Sequence, residues 1–99
     1  MDEISLTLYI ISNTAISKRA IRNIKSICSS KALSAQCCLE IIDLNENPGV
    51  AEKEKILATP LLIKNSPAPQ RRIIGDLSNT QKVISALELN LEFSDDEKD

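Results

Sequence analysis

Residues 55–78 read KILATPLLIKNSPAPQRRIIGDLS, a stretch in which two short apolar runs flank a loop with two prolines. The runs, residues 61–64 and 71–74, have the length and the Leu and Ile content that are typical of strands. Proline disfavours helical geometry in the residue before it, so Thr59-Pro60 ends the helix that precedes the first run. The stretch therefore predicts two consecutive strands joined by a stiff loop.

A helix is predicted directly after this stretch. Ser78 and Gln81 have the spacing of a capping box, in which two side chains satisfy amide groups at the helix start. The apolar residues that follow recur at helical spacing: Val83, Ile84, Leu87 and Leu91. We therefore expect a helix across residues 79–91.

Two more strands and two more helices are predicted before the stretch. Residues 4–11 alternate between apolar and polar side chains, which indicates a strand. Residues 37–44 form a nearly continuous apolar run, which is typical of a central strand covered on both sides. Between them, residues 16–30 have the pattern of an amphipathic helix. Asn47-Pro48 then supplies a cap and a first-turn proline for a short helix that ends near Leu57.

The predicted order is strand, helix, strand, helix, strand, strand, helix. With right-handed crossovers this order gives a mixed sheet flanked by helices, the thioredoxin-like arrangement. Ninety-nine residues suffice for one such core and no second. We therefore predict a single α/β domain over residues 1–91, followed over residues 92–99 by an acidic tail that we expect to be disordered.

The composition excludes several classes of protein. Tyr9 and Phe93 are the only aromatic residues and the net charge is −2, so we expect no nucleic-acid partner. No apolar run approaches the roughly 20 residues that a membrane span requires, so we expect no membrane partner either. The acidic start, Met1-Asp2-Glu3, does not resemble a signal peptide. We expect a soluble, cytoplasmic protein whose cysteines are reduced.

The cysteines do not form a catalytic motif. A thiol oxidoreductase of thioredoxin-like fold needs Cys-x-x-Cys where the first strand enters the first helix, and residues 12–17 of this chain contain no cysteine. Cys28 lies on the apolar stripe of a helix, where core packing explains it. Cys37 and Cys38 are adjacent in a strand, so their side chains point to opposite faces. A thiol oxidoreductase is therefore the less favoured alternative, and it is the one alternative that is an enzyme.

Other catalytic groups are also missing. The chain contains no histidine, which removes the usual zinc, haem and nucleophile–histidine sites. Asp43 ends a strand and Asp76 precedes a helix cap, where turn and cap hydrogen bonding explains a carboxylate. We therefore expect no enzyme activity, no metal and no cofactor.

Residues 55–78 closely resemble the KaiB family. The resemblance rests on KILATP, a strand, a Pro-x-Pro loop and RRIIGDLS. LTLYIISNT at residues 6–14 is similar to the family's first strand and turn, and IIDLNENPGVAEKEKI at residues 41–56 is similar to its next segment. The resemblance covers about residues 6–91, which is nearly the whole predicted domain.

The resemblance implies a non-catalytic interaction module. Members of the family dock on the hexameric ATPase KaiC and regulate its phosphorylation and ATPase cycle, in circadian timing or in a related stress response. The alternative is a stand-alone sensor domain for another partner, such as a histidine kinase. Members also adopt two folds: a thioredoxin-like monomer that binds KaiC, and a rearranged ground state with a refolded C-terminal half. The rearranged form is usually tetrameric, so a homo-oligomer is expected in the ground state.

The resemblance also implies which residues bind the partner. Arg19, Lys55 and Arg72 match positions that contribute charge to KaiC docking. Arg71 is their neighbour, and Tyr9 matches a tyrosine of the first strand. Each charged residue is also compatible with an ordinary solvated surface. Together they provide basic surface on an acidic protein, as contact with an acidic partner requires.

Four further positions bear on the two folds and on a second partner. Pro60 matches a proline that is cis in the thioredoxin-like form. Ala86 and Glu88 stand where the family has Gly and Asp, and both are better helix formers. We therefore expect this chain to favour the thioredoxin-like form. Glu40 replaces a lysine associated with KaiA capture, which argues against KaiA as a partner.

Overall fold

The computed structural model describes residues 3–29 and 36–88 of the chain. The order of elements is the predicted one, strand, helix, strand, helix, strand, strand, helix. The elements are β1 Glu3–Ile10, α1 Ala15–Cys28, β2 Gln36–Asp43, α2 Val50–Lys53, β3 Leu61–Ser66, β4 Arg71–Ile74 and α3 Thr80–Leu87. The predicted acidic tail, residue 30 and Leu91 lie outside the described residues.

The described strands form one mixed sheet in the order β2-β1-β3-β4. β1 pairs in parallel with β2, and the connection between them is α1, as a parallel pair requires. β1 and β3 pair antiparallel, and so do β3 and β4. The prediction that residues 37–44 form a central strand is wrong, because β1 occupies the centre and β2 lies at an edge. Cys38 and Glu40 of β2 are accordingly exposed.

One face of the sheet is covered by α1 and α3. The alternating residues of β1 that were predicted to share a face, Ile4, Leu6, Leu8 and Ile10, all lie in this core. They pack with residues of the two helices, including Ile24, Val83 and Leu87. Burying such side chains stabilises the fold by roughly 1.5–3 kcal/mol each.

The other face carries a smaller apolar cluster. Tyr9, Leu61 and Ile63 are buried there, and partly buried residues from the connection between β2 and β3 pack against them, namely Leu44, Val50 and Ile56. This connection therefore covers only one part of the sheet, next to the first residues of β3.

Helix α2 begins directly after a turn that ends at Gly49. Gly49 precedes α2 with φ of 93°, a left-handed conformation that glycine adopts readily. The predicted cap at Asn47 is wrong, because its side-chain amide donates to the Asp43 carbonyl at 2.8 Å. The prediction that this helix continues to Leu57 is also wrong, since α2 ends at Lys53.

The predicted capping box of α3 is also wrong. The N-cap is Asn79, whose side-chain oxygen accepts from the Lys82 amide at 3.0 Å. Ser78 belongs instead to the preceding turn, where its amide donates to the Asp76 carboxylate at 3.1 Å. α3 ends at Leu87, because Glu88 adopts a left-handed conformation with φ of 58°.

Candidate docking surface

A basic and apolar groove lies where β4 meets the loop that follows α2. Arg72 connects the two segments, because its guanidinium donates to the Glu54 carbonyl at 3.1 Å. Lys55, which adopts a positive φ of 58°, is exposed in the same loop. The structure thus brings together two of the predicted docking residues that are 17 positions apart. We call this feature the β4 groove; it has a volume of about 280 Å³ and is lined by Lys55, Leu57, Ala58, Leu61, Arg72 and Ile74.

Two large apolar side chains of the β4 groove face solvent. Leu57 is 97% exposed and Ile74 is 58% exposed. Leu57 is the most exposed of the large hydrophobic residues in the described part of the chain. Exposed apolar side chains that are grouped in one patch and rimmed by charges are a feature of protein interaction sites.

Tyr9 lies under this region and is not at its surface. It is only 7% exposed and pairs across the sheet with Leu61, which in turn pairs with Ile74. Burial raises the pKa of the Tyr9 hydroxyl, and the carboxylates of Glu54 and Glu40 act in the same direction. Tyr9 is therefore neutral near pH 7 and supports the floor of the β4 groove through Leu61.

Arg19 lies on α1 and is held to the loop that follows β4. Its guanidinium Nε lies 3.3 Å from the Asp76 carboxylate, and the arginine side chain is still 47% exposed. Asp76 comes two residues after Ile74, so this ion pair places Arg19 beside the loop that borders the end of β4. The ion pair with Asp76 offsets part of the Arg19 charge that the resemblance assigns to docking.

Arg71 lies on the opposite face from Arg72. Its Nε and Nη2 donate to Glu88 Oε2 at 2.9 and 2.6 Å, beside the end of α3. Successive strand residues point to opposite faces of a sheet, so only one of two adjacent arginines can line the β4 groove. The Arg71 side chain therefore lies on the helix-covered face.

The residues linked to fold balance do not line the β4 groove. The Thr59–Pro60 peptide bond is cis, as the resemblance implies. Ala86 is partly buried within α3, whereas Glu88 is the C-cap and lies outside the helix. Leu57 and Ile74 were missed as site residues, because apolar residues in short runs ordinarily indicate core. No sequence signal distinguishes them, since their exposure depends on how the loop meets β4.

The cysteines are free thiols at the positions that the sequence suggests. Cys28 and Cys37 pack against the main core, and Cys38 is exposed. Burial, followed by a hydrogen bond with Cys37, raises the pKa of the Cys28 thiol. A raised pKa disfavours the thiolate, which is the reactive form of cysteine.

Neither a metal cluster nor a membrane span occurs within residues 3–29 and 36–88. These residues contain no group of three or more His, Cys, Asp or Glu side chains that could hold a metal ion. No helix in this part of the chain has both the length and the apolar character needed to cross a membrane. Asp43 and Asp76 both accept hydrogen bonds within turns, which explains their positions.

Comparison with known structures identifies the fold. The N-terminal domain of Synechococcus elongatus SasA superposes with a TM-score of 0.69 at 19% identity, over 89% of this chain and 86% of that one. Chloroplastic thioredoxin z superposes with a TM-score of 0.70 at 15% identity, over 88% of this chain and 80% of that one. At these identities the similarity concerns the fold alone, and it confirms the predicted thioredoxin-like arrangement.

Comparison of sequences identifies the family. The model of the KaiB domain matches residues 7–89. The circadian clock protein KaiB3 of Synechocystis sp. is 51% identical over 89 residues, which span 90% of this chain and 86% of that protein. The match covers every described element from the middle of β1 to the end of α3. The chain therefore belongs to the KaiB family of circadian clock proteins.

Proposed function

We propose that this chain binds a KaiC-type hexameric ATPase through the β4 groove and thereby regulates that enzyme's phosphorylation and ATPase cycle. The observation that carries the proposal is the pair of exposed apolar side chains, Leu57 and Ile74, bordered by the cations of Lys55 and Arg72. The chain as a whole carries a net charge of −2, so this basic border is a local feature. A partner that fits it presents acidic groups around an apolar side chain.

In this proposal the chain acts in the cytoplasm as an interaction module without a catalytic step. Arg19 adds charge at the far end of β4, and Tyr9 contributes indirectly by supporting Leu61. Docking requires the thioredoxin-like form, because the β4 groove is built by β3, β4 and the loop that follows α2. A homo-oligomer of the rearranged form would then compete with docking.

The test is a binding titration with a hexameric KaiC, in the presence and absence of ATP. The double variant Lys55→Glu, Arg72→Glu is expected to weaken binding at least several-fold, because it reverses both charges that border the β4 groove. Added salt is expected to weaken the wild type in the same direction, since partly exposed charge pairs are screened.

The matched control is Lys25→Glu, Lys82→Glu. Both lysines are exposed and lie on the helices, so the control changes the net charge equally without touching the β4 groove. Equal loss of affinity in the two double variants would assign the effect to net charge and contradict the proposed site. Capture of a histidine kinase with no binding to the ATPase would contradict the proposed partner.

KaiA is not part of the proposed complex. Glu40 is exposed on the edge strand β2, at the position where the family resemblance associates a lysine with KaiA. A carboxylate there repels any acidic surface that such a lysine would attract. Adding a cyanobacterial KaiA to the preformed complex is expected to give little ternary assembly, and Glu40→Lys is expected to increase it. Tight ternary assembly of the wild type would show that this position does not control KaiA binding.

A further inference from the structure

We propose that the C-terminal segment of this chain, residues 89–99, folds back onto the β4 groove and masks it until a partner displaces it. The contact itself is independent of the partner, whereas its regulatory consequence rests on the proposed function. Three features support the contact: the position at which the chain leaves α3, the free edge of β4, and the charge and apolar pattern of the segment.

The segment starts beside β4, on the face of the sheet opposite the β4 groove. Glu88 ends α3 in a left-handed conformation, so the chain leaves the helix axis at this residue. Its carboxylate is held by Arg71 at 2.6 Å, and Arg71 is adjacent in β4 to the groove residue Arg72. Ile74 lies three residues after Arg71, about 10 Å further along the strand at about 3.3 Å per residue. Eleven residues reach about 36 Å when extended, which is ample to pass over β4 and along the groove.

The edge of β4 is available for such a segment. Within residues 3–29 and 36–88, β4 pairs with β3 and with no other strand, so its outer amides and carbonyls face outward. The segment begins LNLEF, in which Leu89, Leu91 and Phe93 alternate with polar residues. This period of two is typical of a strand with one apolar face. After crossing the edge of β4, an extended segment can therefore turn Leu91 and Phe93 toward Leu57 and Ile74.

The charges of segment and groove are complementary. After Phe93 the chain reads SDDEKD, with four acidic residues and one lysine. Lys55 and Arg72 border the β4 groove, and among the described residues neither forms an ion pair with a carboxylate. The same combination of acidic and apolar groups that the proposed partner must present is thus present in the chain itself, at a high effective concentration.

Self-docking gives the acidic segment a role in affinity. A polar segment gains order by burying its apolar residues against another surface. An external partner must then displace it, and the apparent affinity falls by the fraction of molecules in which the groove is covered.

The contact is tested by photo-cross-linking in the full-length chain without any partner. p-Benzoylphenylalanine replaces Leu57, whose 97% exposure makes the exchange harmless to the core. Mass spectrometry is expected to find intramolecular cross-links to residues 89–99. The same photo-cross-linker in place of Glu40, on the opposite edge of the sheet, is expected to give few or none. Equal cross-linking from both positions, absence of tail cross-links, or cross-links only between two chains would overturn the proposal.

The role of charge is tested with two full-length variants of equal net charge. Asp95→Asn, Asp96→Asn, Glu97→Gln is expected to reduce the tail cross-links strongly and to increase affinity for the ATPase several-fold. The control neutralises three exposed carboxylates elsewhere, Glu3→Gln, Glu40→Gln, Glu46→Gln. It is expected to change neither the tail cross-links nor the affinity for the ATPase. Tail cross-links without any gain in affinity would overturn the masking role alone. A chain that shows the tail cross-links but never binds the ATPase would contradict the proposed function and leave the contact supported.

Discussion

Asp76 connects α1 with the turn between β4 and α3. Its carboxylate accepts from the Ser78 amide and pairs with Arg19, and its carbonyl accepts from the Asn23 side-chain amide at 2.7 Å. Hydrogen bonds from Ser78, followed by the ion pair with Arg19, hold the pKa of Asp76 below its usual value. These contacts tie α1 to the turn that opens α3.

The depressed pKa of Asp76 predicts a pH-dependent stability. Its stabilising contribution is present above the unfolded pKa, about 3.9, and is lost as the pH falls through the lower folded value. Asp76→Asn is therefore expected to lower the free energy of unfolding near neutral pH and to have a smaller effect in acid. Urea unfolding at about pH 7 and about pH 3 measures the difference.

Glu46→Gln is the control for this experiment, because Glu46 is an exposed residue of the loop after β2. Its replacement is expected to change stability little at either pH. If the destabilisation by Asp76→Asn is as large in acid as at neutral pH, the carboxylate charge is not its cause.

Glu88 and Ala86 have different effects on α3. Helix propensity applies to Ala86, which lies within the helix, and not to Glu88, whose left-handed conformation ends it. The expectation that Glu88 strengthens the helix interior is therefore wrong. Its ion pair with Arg71 joins two half-exposed side chains, and such pairs contribute about 0–1 kcal/mol.

At the scale of the element, the start of α3 is determined by one asparagine. The Asn79 side chain accepts from the Lys82 amide at 3.0 Å, and the Asn79 carbonyl accepts from the Val83 amide at 3.0 Å. Gln81 is exposed and makes no such contact among the described residues. The N-cap of α3 is therefore Asn79 and not Ser78, which the capping-box pattern favours.

The cap assignment predicts a difference between two alanine variants. Asn79→Ala is expected to cost about 1 kcal/mol of stability, which is typical for loss of an N-cap side chain. Gln81→Ala is expected to cost no more than a few tenths, since alanine is a good helix former. Chemical denaturation followed by circular dichroism measures both. A larger loss for Gln81→Ala than for Asn79→Ala would support the capping box instead.

At the scale of the whole molecule, we propose that a balance between the thioredoxin-like and the rearranged fold decides whether the β4 groove exists. Ala86→Gly is expected to weaken α3 by about 1 kcal/mol, which changes a population ratio about fivefold. NMR at low concentration is expected to show helical shifts across residues 80–87 in the wild type and a reduced helical population in the variant. Slower or weaker ATPase binding is expected to accompany the change.

Ser26→Gly in α1 is the control for the fold balance. It weakens an exposed position of α1, outside the C-terminal half that the family resemblance associates with refolding, and is expected to lower stability without reducing the helical population of α3. Strand-like shifts across residues 80–87 of the wild type would contradict the preference for the thioredoxin-like form.

The order and type of the elements were determined by the sequence alone. Alternation in residues 4–11, helical spacing in residues 16–30 and the paired runs of residues 55–78 are local patterns, and local backbone geometry imposes them directly. The motifs in residues 55–78 also sufficed to identify the family. The positions of Lys55 and Arg72 as candidate docking residues came from that resemblance.

Only the tertiary structure decided which of these residues meet. The position of β2 at an edge and the solvent exposure of Leu57 and Ile74 depend on how distant segments pair. An apolar run predicts burial because most such residues are buried, and it contains no information on which loop packs against which strand. The caps at Gly49 and Asn79 likewise depend on the turns that precede them, since neighbouring polar residues compete for the same amides. The β4 groove therefore arises from the register of β3 with β4 and from the contact between Arg72 and the Glu54 carbonyl, which joins residues 18 positions apart.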